Sequence, residues 1–394
     1  MDKKIVYLDH SATTYVKKEV LDVMMPYFTE NFGNPSSLYS ISRSNKHAVD
    51  VAREQVATAL KAKEAEVYFT AGGSEADNWA IKGVALANKS KGNHIITTKI
   101  EHPAILSTCK YLEKQGFEVT YLSVDGDGLI DLDELKNSIK DTTILISVMM
   151  ANNEIGTIQP VAEIGRIARE NKVLFHTDAV QAIGHVDIDV EKMNIDLLSL
   201  AAHKFYGPKG IGALYVRKGV KIDSIIHGGG QEKKKRAGTE NLPAIVGLGR
   251  AIELATTDMD KKNAVISAKR DRLLQGILDR IPYTKVNGSL ESRLPNNVNV
   301  SFHFIEGEGL LLLLDMAGIC ASTGSACSSG SLDPSHVLLA IGLPHEIAHG
   351  SLRLSLGEGT TDEEIDYVLE ELPKIVQRLR DMSPLYNKAM EEVK

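Results

Sequence analysis

The stretch Lys172-Val173-Leu174-Phe175-His176-Thr177-Asp178 is an apolar strand pattern that ends in a carboxylate. Further along, Leu197-Leu198-Ser199-Leu200 is a second such pattern, and it runs into Ala201-Ala202-His203-Lys204. Both belong to an alternation of strand and helix patterns over about residues 47–217. That alternation predicts an α/β fold whose sheet is mainly parallel and carries helices on its faces.

Seven strands are predicted for this sheet, at Glu66–Thr70, His94–Thr98, Glu118–Ser123, Thr143–Val148, Lys172–Thr177, Leu197–Leu200 and Gly212–Val216. Helices are predicted between them at Ala48–Leu60, Glu75–Ala87, Pro103–Gln115, Asp133–Ile139 and Ala162–Glu170. The pattern changes after about residue 261, with a charged helix at Ala264–Arg280 and strands at Asn297–Phe304 and Leu352–Leu356. We therefore expect a large domain over residues 16–261 and a smaller α+β domain built from 1–15 and 262–394.

Composition narrows the class of protein. A net charge of -7 gives no general attraction to nucleic acid or to anionic membranes. The most apolar run, Gly309–Leu314, is far shorter than the ~20 residues that cross a bilayer, and it predicts a buried helix. The run Ile5–Leu8 is too short for the core of a signal peptide. The 3 cysteines cannot all pair and lack the spacing of metal ligands, so we expect a cytoplasmic protein without a metal site.

Asp178 and Lys204 each follow a predicted strand, and open α/β sheets bind ligands at the carboxyl ends of their strands. A partly desolvated lysine offers a neutral amine that can condense with an aldehyde. The cofactor pyridoxal 5'-phosphate (PLP) needs such a lysine, and it needs a carboxylate beside its pyridine nitrogen. The pair therefore indicates a PLP site, although either residue alone is more often a surface lysine or a helix cap.

Two further turns carry candidate ligands. Thr70-Ala71-Gly72-Gly73-Ser74-Glu75 joins a strand to a helix, and the free N–H groups at such a turn bind phosphate. The alternative is a plain turn in which Ser74 is the helix N-cap. His102 precedes Pro103 at the start of another predicted helix. An imidazole there can stack on an aromatic cofactor or serve only as a polar loop residue.

A series of segments spreads over almost the whole chain: Tyr7–Thr14, Gly33–Ser37, Thr70–Asn78, Glu101-His102, Ala151–Gly156, His176–Gln181, His203-Lys204, Gly228–Glu232, Arg236–Thr239, Gly324–Cys327 and Arg353–Leu356. In this order they resemble the NifS/IscS-type cysteine desulfurases. Those enzymes belong to the class V aminotransferase superfamily of PLP enzymes, of fold type I. The resemblance rests on the number and order of the segments.

The resemblance implies a set of site residues. Those that would hold PLP are Lys204 as its covalent partner, Asp178 at the pyridine nitrogen, His102 stacked on the ring, Gln181 and Asn153 on the side of the ring hydroxyl, and Gly73, Ser74 and His203 at the phosphate. Arg353, together with Asn153, would bind the α-carboxylate of L-cysteine. Thr239 would reach the phosphate bound by the neighbouring subunit, so a homodimer is implied. The family usually carries serine where this chain has Ala201 and Ala237, and the loss of a phosphate-bonding hydroxyl at position 201 costs about 1 kcal/mol of cofactor binding.

Cys327 lies in a run of small residues that predicts an exposed loop over about residues 322–332. Cys109 and Cys320 lie in helical and apolar surroundings, so we expect both to be buried packing residues. The resemblance implies that Cys327 attacks the sulfur of the substrate, becomes a persulfide and leaves alanine, with His102 as a proton carrier. It also implies a sulfur acceptor, either an Fe–S scaffold protein (NifU/IscU-like) or a tRNA-thiolation protein.

Other interpretations stay open. The chain could be a different PLP enzyme on the same fold, such as a selenocysteine lyase or an aminotransferase. It could also be an inactive scaffold for sulfur-transfer partners, although Lys204, Asp178 and Cys327 are all present. Asp125–Asp131 is interpreted as a turn, because a calcium loop would place its glycine differently. The basic run Lys233–Arg236 is too short to indicate nucleic-acid binding and is expected near the dimer interface or in solvent.

Overall fold

The strand patterns quoted above form part of one seven-stranded sheet. The computed structural model describes residues 5–323 and 334–392, with side chains up to residue 389. Within these ranges the strands are β1 (Val6–Tyr7), β2 (Val67–Thr70), β3 (His94–Thr98), β4 (Glu118–Leu122), β5 (Thr143–Ser147), β6 (Leu174–Asp178), β7 (Leu197–Ala201), β8 (Gly212–Val216), β9 (Gly230–Gln231), β10 (Arg236–Ala237), β11 (Thr284–Val286), β12 (Asn297–Phe302), β13 (Ile319–Cys320) and β14 (Ser351–Ser355).

The α-helices of the same ranges are α1 (Lys18–Met24), α2 (Pro26–Thr29), α3 (Ser40–Leu60), α4 (Gly73–Asn88), α5 (Pro103–Glu113), α6 (Leu132–Ser138), α7 (Val161–Glu170), α8 (Leu242–Thr256), α9 (Met259–Arg280), α10 (Gly307–Met316), α11 (His336–Ala340), α12 (His345–His349), α13 (Asp362–Asp381) and α14 (Pro384–Glu392). Short 3-10 helices cover Glu64–Glu66, Ala202–Lys204 and Glu232–Lys234.

The large sheet has the strand order β2-β8-β7-β6-β5-β3-β4. Its neighbours from β7 through β6, β5 and β3 to β4 are parallel, whereas β8 runs antiparallel to both β2 and β7. The prediction of a mainly parallel α/β sheet is therefore confirmed. The strand predicted to begin at Lys172 begins at Leu174 instead, because Lys172 has a left-handed φ of 57° that extended backbone does not allow.

Both faces of this sheet are covered, as the continuous apolar character of its strands requires. Leu198 and Leu200 point to one face and pack with residues of α3, α7 and α8. Leu197, on the alternate face, packs with residues of α4 and α5 such as Trp79 and Ile105. Because β2, β3, β5, β6 and β7 all run in the same direction, their carboxyl ends lie at one edge of the sheet.

A second apolar core is built around the antiparallel sheet β11-β12-β14 and the helices α9, α10 and α13. Val6 and Leu8 from the amino-terminal segment belong to this core, and β1 pairs in parallel with β13. The N-terminal segment then continues beside β14, through a parallel bridge between Asp9 and Ser355. This path brings the residues that follow Leu8 to the edge of the large sheet.

The prediction that Gly309–Leu314 is a buried helix is only partly right. The segment lies in α10, where Leu310 and Leu314 are buried but Leu312 is 68% exposed. One face of the helix packs on the core and the other faces solvent, and a run of leucines does not reveal which residues face the core.

Along residues 5–323 and 334–392, no helix is both long enough and apolar enough to span a bilayer. Asp125–Asp131 forms the predicted turn, closed by a bridge between Val124 and Ile130.

Candidate active site

The predicted site residues are delivered by the carboxyl ends of adjacent strands. Asp178 is the last residue of β6, and Lys204 ends the 3-10 helix that follows the neighbouring strand β7. His102 is the N-cap of α5 and lies shortly after Thr98, the last residue of β3. These positions open onto a cavity of about 350 Å³, lined by Ser11, Ala12, Gly73, Ser74, Asp77, His102, Met149, Ala151, Asn153, Asp178, Val180, Gln181, Ala201, His203, Lys204 and Arg353.

All the residues predicted to hold PLP within one subunit line this cavity, and so does Arg353. Thr239 lies elsewhere, in a separate cleft with Arg236 and Gly238, and its side chain is exposed. Cys327 lies outside the described residues. The structure therefore brings together the cofactor and carboxylate candidates, and it separates Thr239 from them.

Lys204 is held by backbone that sequence reasoning did not assign to the site. Its Nζ donates to the carbonyl oxygens of Ser11 at 2.5 Å and Ala12 at 2.7 Å. Gln181 donates through Nε2 to the same Ser11 oxygen at 2.9 Å. Backbone carbonyls carry no side-chain signal, so the sequence offers no direct means to predict these contacts.

His203 packs against the same amino-terminal segment. Its Nδ1 lies 3.1 Å from Oγ1 of Thr13. Burial lowers the pKa of His203 to about 4, with further lowering by Lys204 and Lys209. The imidazole is therefore neutral at physiological pH and can act as a hydrogen-bonding group at the edge of the cavity.

Asp178 and His102 form the polar centre of the cavity. Burial raises the pKa of Asp178, and His102, the Val180 N–H at 2.9 Å and Lys204 partly offset that rise. Burial lowers the pKa of His102. Nδ1 of His102 accepts from the Ala104 N–H at 3.1 Å, so the neutral imidazole carries its proton on Nε2.

Asp77 is a cavity residue that the sequence reasoning missed. It is 1% exposed, and its Oδ1 has no hydrogen-bond partner within residues 5–323 and 334–392. Burial raises its pKa well above the ordinary value, and Asp178 raises it further. His176 lies behind it, with Nε2 at 3.8 Å from Oδ1 of Asp77, and burial lowers the pKa of His176 to about 3. The sequence signal that could have identified Asp77 is its position: it is an acidic residue inside an apolar helix pattern, three residues after Ser74.

The turn before α4 is not capped by serine, and it has the geometry of a helix N-terminus that can accept an anion. The N-cap is Gly72, with a left-handed φ of 149°, and the helix begins at Gly73, so the alternative with Ser74 as N-cap is wrong. A Cβ on Gly73 would lie 2.8 Å from Cγ2 of Val180, so a side chain there would not fit. The first N–H groups of a helix have no intrahelical acceptor, and they face the cavity together with the Ser74 side chain.

Arg353 lies at the centre of β14 and is 3% exposed. Its Nη1 donates to the Asn153 carbonyl at 3.0 Å, and its Nη2 donates to Oδ1 of Asp9 at 2.8 Å. Its Nε is buried without a hydrogen-bond partner in the described part of the chain. Asp9 was not predicted as a site residue, although it follows the short apolar strand β1 in a polar segment.

These features fit PLP. The amine of Lys204, the carboxyl of Asp178 and the helix N-terminus at Gly73 and Ser74 line one cavity, as the aldehyde, pyridine nitrogen and phosphate require. Arg353 lines the same cavity, so its guanidinium can contact an additional anion there. Ala201 lines the cavity at the position where the family usually carries serine.

The two described cysteines differ. Cys109 is fully buried in α5, as predicted, and burial raises the pKa of its thiol to about 12. Cys320 is only half-buried, so the prediction of a fully buried residue is wrong for it. Cys320 lies in β13, a strand of two residues in a two-stranded sheet. Such a small sheet has β1 on one side of β13 and, within the described residues, no strand on the other, so it covers Cys320 only partly.

The fold and the site together define a PLP-dependent enzyme of fold type I. Residues 6–368 match the family described as aminotransferase class-V. The chain is 66% identical over 390 residues to the cysteine desulfurase IscS of Clostridium botulinum strain Hall, covering 98% of each chain.

Solved structures agree with this match. One described as a NifS-like protein superposes with a TM-score of 0.90 at 41% identity, covering 95% of this chain and 100% of the other. Another, described as SspA in complex with cysteine, gives a TM-score of 0.80 at 40% identity, covering 90% of this chain and 100% of the other. The chain therefore belongs to the class-V aminotransferase family and, within it, to the PLP-dependent cysteine desulfurases.

Proposed function

We propose that this chain removes sulfur from L-cysteine, with PLP held on Lys204, and stores the sulfur as a persulfide on Cys327 while L-alanine is released. The observation that carries the proposal is the cavity in which Lys204, Asp178 and Arg353 meet, although they come from elements far apart in the sequence. Together these residues supply the amine and the carboxyl that PLP requires and a guanidinium that can bind an amino-acid carboxylate.

The residues that would hold PLP are Lys204, Asp178, His102, Gln181, Asn153, Gly73, Ser74 and His203. When bound, PLP supplies an electron sink that lets an amino acid lose its α-proton and weakens the substrate C–S bond. Asp178 would hold a negative charge at the pyridine side, and the N–H groups at Gly73 and Ser74 would donate hydrogen bonds to the phosphate. Arg353 orients the substrate through its α-carboxylate.

Proton movement and sulfur transfer then fall to three side chains. Lys204 takes the α-proton of the substrate at Nζ, and His102 holds or moves a proton at Nε2. Cys327 attacks the substrate sulfur as a thiolate, so that an S–S bond forms as the C–S bond breaks. The electron pair of the broken bond stays with the carbon skeleton, which gains protons and leaves as L-alanine.

We further propose that the enzyme acts as a homodimer in the cytoplasm, with domains at 16–261 and at 1–15 plus 262–394. Thr239 would reach the phosphate bound by the neighbouring subunit, and its exposure outside the main cavity supports that role. Several large apolar side chains between residues 21 and 39 are exposed on the single chain, including Phe32 at 73% and Leu38 at 91%, which also supports a second subunit. The sulfur acceptor would be an Fe–S scaffold protein of the NifU/IscU type or a tRNA-thiolation protein.

The reaction and its nucleophile can be tested in one experiment. The PLP-loaded protein is incubated with L-cysteine, the persulfide is trapped by alkylation, and the modified residue is mapped by mass spectrometry. We expect the label on Cys327, together with stoichiometric alanine, and no label after Cys327→Ser. The buried Cys109→Ser serves as the matched control and should leave the label in place. A label on Cys109 or Cys320 in the unaltered chain would overturn the assignment of Cys327.

A further inference from the structure

An ion pair joins Asp9 to Arg353, which lines the cavity. Oδ1 of Asp9 lies 2.8 Å from Nη2 of Arg353, and the two side chains are 17% and 3% exposed. The second oxygen, Oδ2, accepts a hydrogen bond from Oγ of Ser322 at 3.0 Å. Each carboxylate oxygen of Asp9 thus has a different partner, so the side chain is fixed in position.

The backbone holds these residues together independently of their charges. Asp9 forms a parallel bridge with Ser355, in which the Ser355 N–H donates to the Leu8 carbonyl at 2.7 Å. Arg353 and Ser322 form an antiparallel bridge, with the Arg353 N–H donating to the Ser322 carbonyl at 2.7 Å. A change of the Asp9 side chain can therefore alter the guanidinium without removing the backbone contacts that place it.

The guanidinium of Arg353 already donates hydrogen bonds to two groups of the protein. An arginine has five N–H donors in one plane. Here Nη1 donates to the Asn153 carbonyl and Nη2 to Asp9, whereas Nε has no partner in the described residues. A carboxylate ligand must use the remaining donors, and it then lies close to the carboxylate of Asp9. Two neighbouring negative charges repel each other, and they do so more strongly when they are partly buried.

Resting on the proposed function, in which Arg353 binds the substrate α-carboxylate, we infer that Asp9 is a positioning residue that sets the affinity of the site for that carboxylate. Through Nη2 it orients the guanidinium, which strengthens recognition. Its negative charge opposes a second carboxylate, which weakens binding and eases release of the amino-acid product. Asp9 therefore contributes two effects of opposite sign.

Two variants separate these effects. Asp9→Asn keeps an oxygen acceptor for Nη2 but removes the charge, so the repulsion is lost and the orientation is kept. Asp9→Ala removes both, so Arg353 loses its orienting partner. A residue with only a structural role would weaken ligand binding in both variants, whereas the two effects inferred here shift the affinity in opposite directions.

The test compares binding of L-alanine with binding of L-alaninamide, which lacks the carboxylate charge, by calorimetry on the PLP-loaded enzyme. For Asp9→Asn we expect L-alanine to bind about 3- to 10-fold more tightly, and for Asp9→Ala about 3- to 10-fold more weakly. L-Alaninamide should change less than about 2-fold in both variants, because the effect acts through the carboxylate. The KM for L-cysteine should follow the L-alanine affinity in each variant. Asp22→Asn, which removes the charge of an exposed aspartate paired with Lys18, is the matched control.

The outcomes distinguish this inference from the proposed function. Equal shifts for L-alanine and L-alaninamide, shifts of the same sign in both variants, or no shift at all would overturn the role of Asp9. If the unaltered enzyme itself bound L-alanine no better than L-alaninamide, the assignment of Arg353 to the α-carboxylate would fail instead. The Arg353 assignment is tested on the unaltered enzyme alone, whereas the role of Asp9 is tested on the variants. A failure of one can therefore be distinguished from a failure of the other.

Discussion

Two groups of acidic side chains flank the cavity, and they differ in what neutralises them. The floor carboxyls are Asp77, Glu101 and Asp178, at the carboxyl ends of the parallel strands and at the start of α4. The Arg353 cluster consists of Asp9, Glu154 and Arg353 itself. Burial raises the pKa of Glu101 to about 8, whereas the pKa of Glu154 rises to about 7. Burial is the largest cause for both. Hydrogen bonds from the Met149 N–H and the Thr98 hydroxyl lower the pKa of Glu101, whereas a hydrogen bond from Ser335 and the positive charge of Arg353 lower that of Glu154.

The difference shows which charge each end of the cavity can receive. The floor carboxyls are desolvated, and Asp178 further raises the pKa values of Asp77 and Glu101, so this end favours a cationic group such as a protonated pyridine nitrogen. The Arg353 cluster contains its own cation and can accept an anion. One cavity therefore has a preference for positive charge at one end and for negative charge at the other, as a PLP enzyme that acts on an amino acid requires.

The largest expected effect tests whether the three floor carboxyls are equivalent. Asp178→Asn removes the charge at the pyridine side, and we expect the rate of alanine formation to fall by about 10³-fold. Asp77→Asn should reduce it by less than about 10-fold, because a carboxyl whose pKa burial raises so far already resembles a neutral amide. Steady-state assays with saturating PLP would measure both.

Equal losses in the two variants would show that Asp77 carries charge in the working enzyme. The cofactor absorbance gives a second measurement, because only Asp178→Asn should change its dependence on pH. A change of equal size in Asp77→Asn would contradict the distinction between the two aspartates.

The next effect concerns stability and Glu101, a buried glutamate whose pKa is strongly raised. Glu101 is fully buried, and its Oε1 accepts from the Thr98 hydroxyl at 2.8 Å and the Met149 N–H at 2.9 Å. Its pKa rises from 4.5 to about 8 on folding, so the folded state holds a proton that the unfolded state loses between these values. Its contribution is favourable below pH 4.5 and is lost as the pH rises to about 8.

Glu101→Gln should therefore gain stability relative to the unaltered enzyme as the pH rises from 5 to 9, by on the order of 3 kcal/mol. Urea unfolding of the PLP-loaded enzyme at several pH values would measure the difference. Glu113→Gln, at the C-terminal end of α5, controls for the general effect of removing an acidic charge, and it should give a nearly constant difference. A constant difference for Glu101→Gln would contradict the raised pKa.

The sequence predicted the floor better than the Arg353 cluster, for a physical reason. Strands buried on both faces are continuous apolar runs, so β6 and β7 could be located, and Asp178 and Lys204 stood out at their ends. Asp9 contacts Arg353 only because β1 pairs with β13 and the chain then runs beside β14. Such pairing between the two ends of the chain has no local sequence signal. Asp77 was missed because a single acidic residue in a helix ordinarily faces solvent.

The smallest expected effect compares Glu154 with Glu101. Glu154 is buried beside Arg353 and accepts a hydrogen bond from Ser335, and its pKa rises from 4.5 to about 7. Glu154→Gln should gain stability relative to the unaltered enzyme between pH 4.5 and about 7, by on the order of 2 kcal/mol, and the difference should then stay constant at higher pH. The same urea series measures it. A pH dependence that extended to pH 8, as expected for Glu101, would mean that Ser335 and Arg353 do not lower the pKa of Glu154 below that of Glu101. The proposed contrast between the two ends of the cavity would then be wrong.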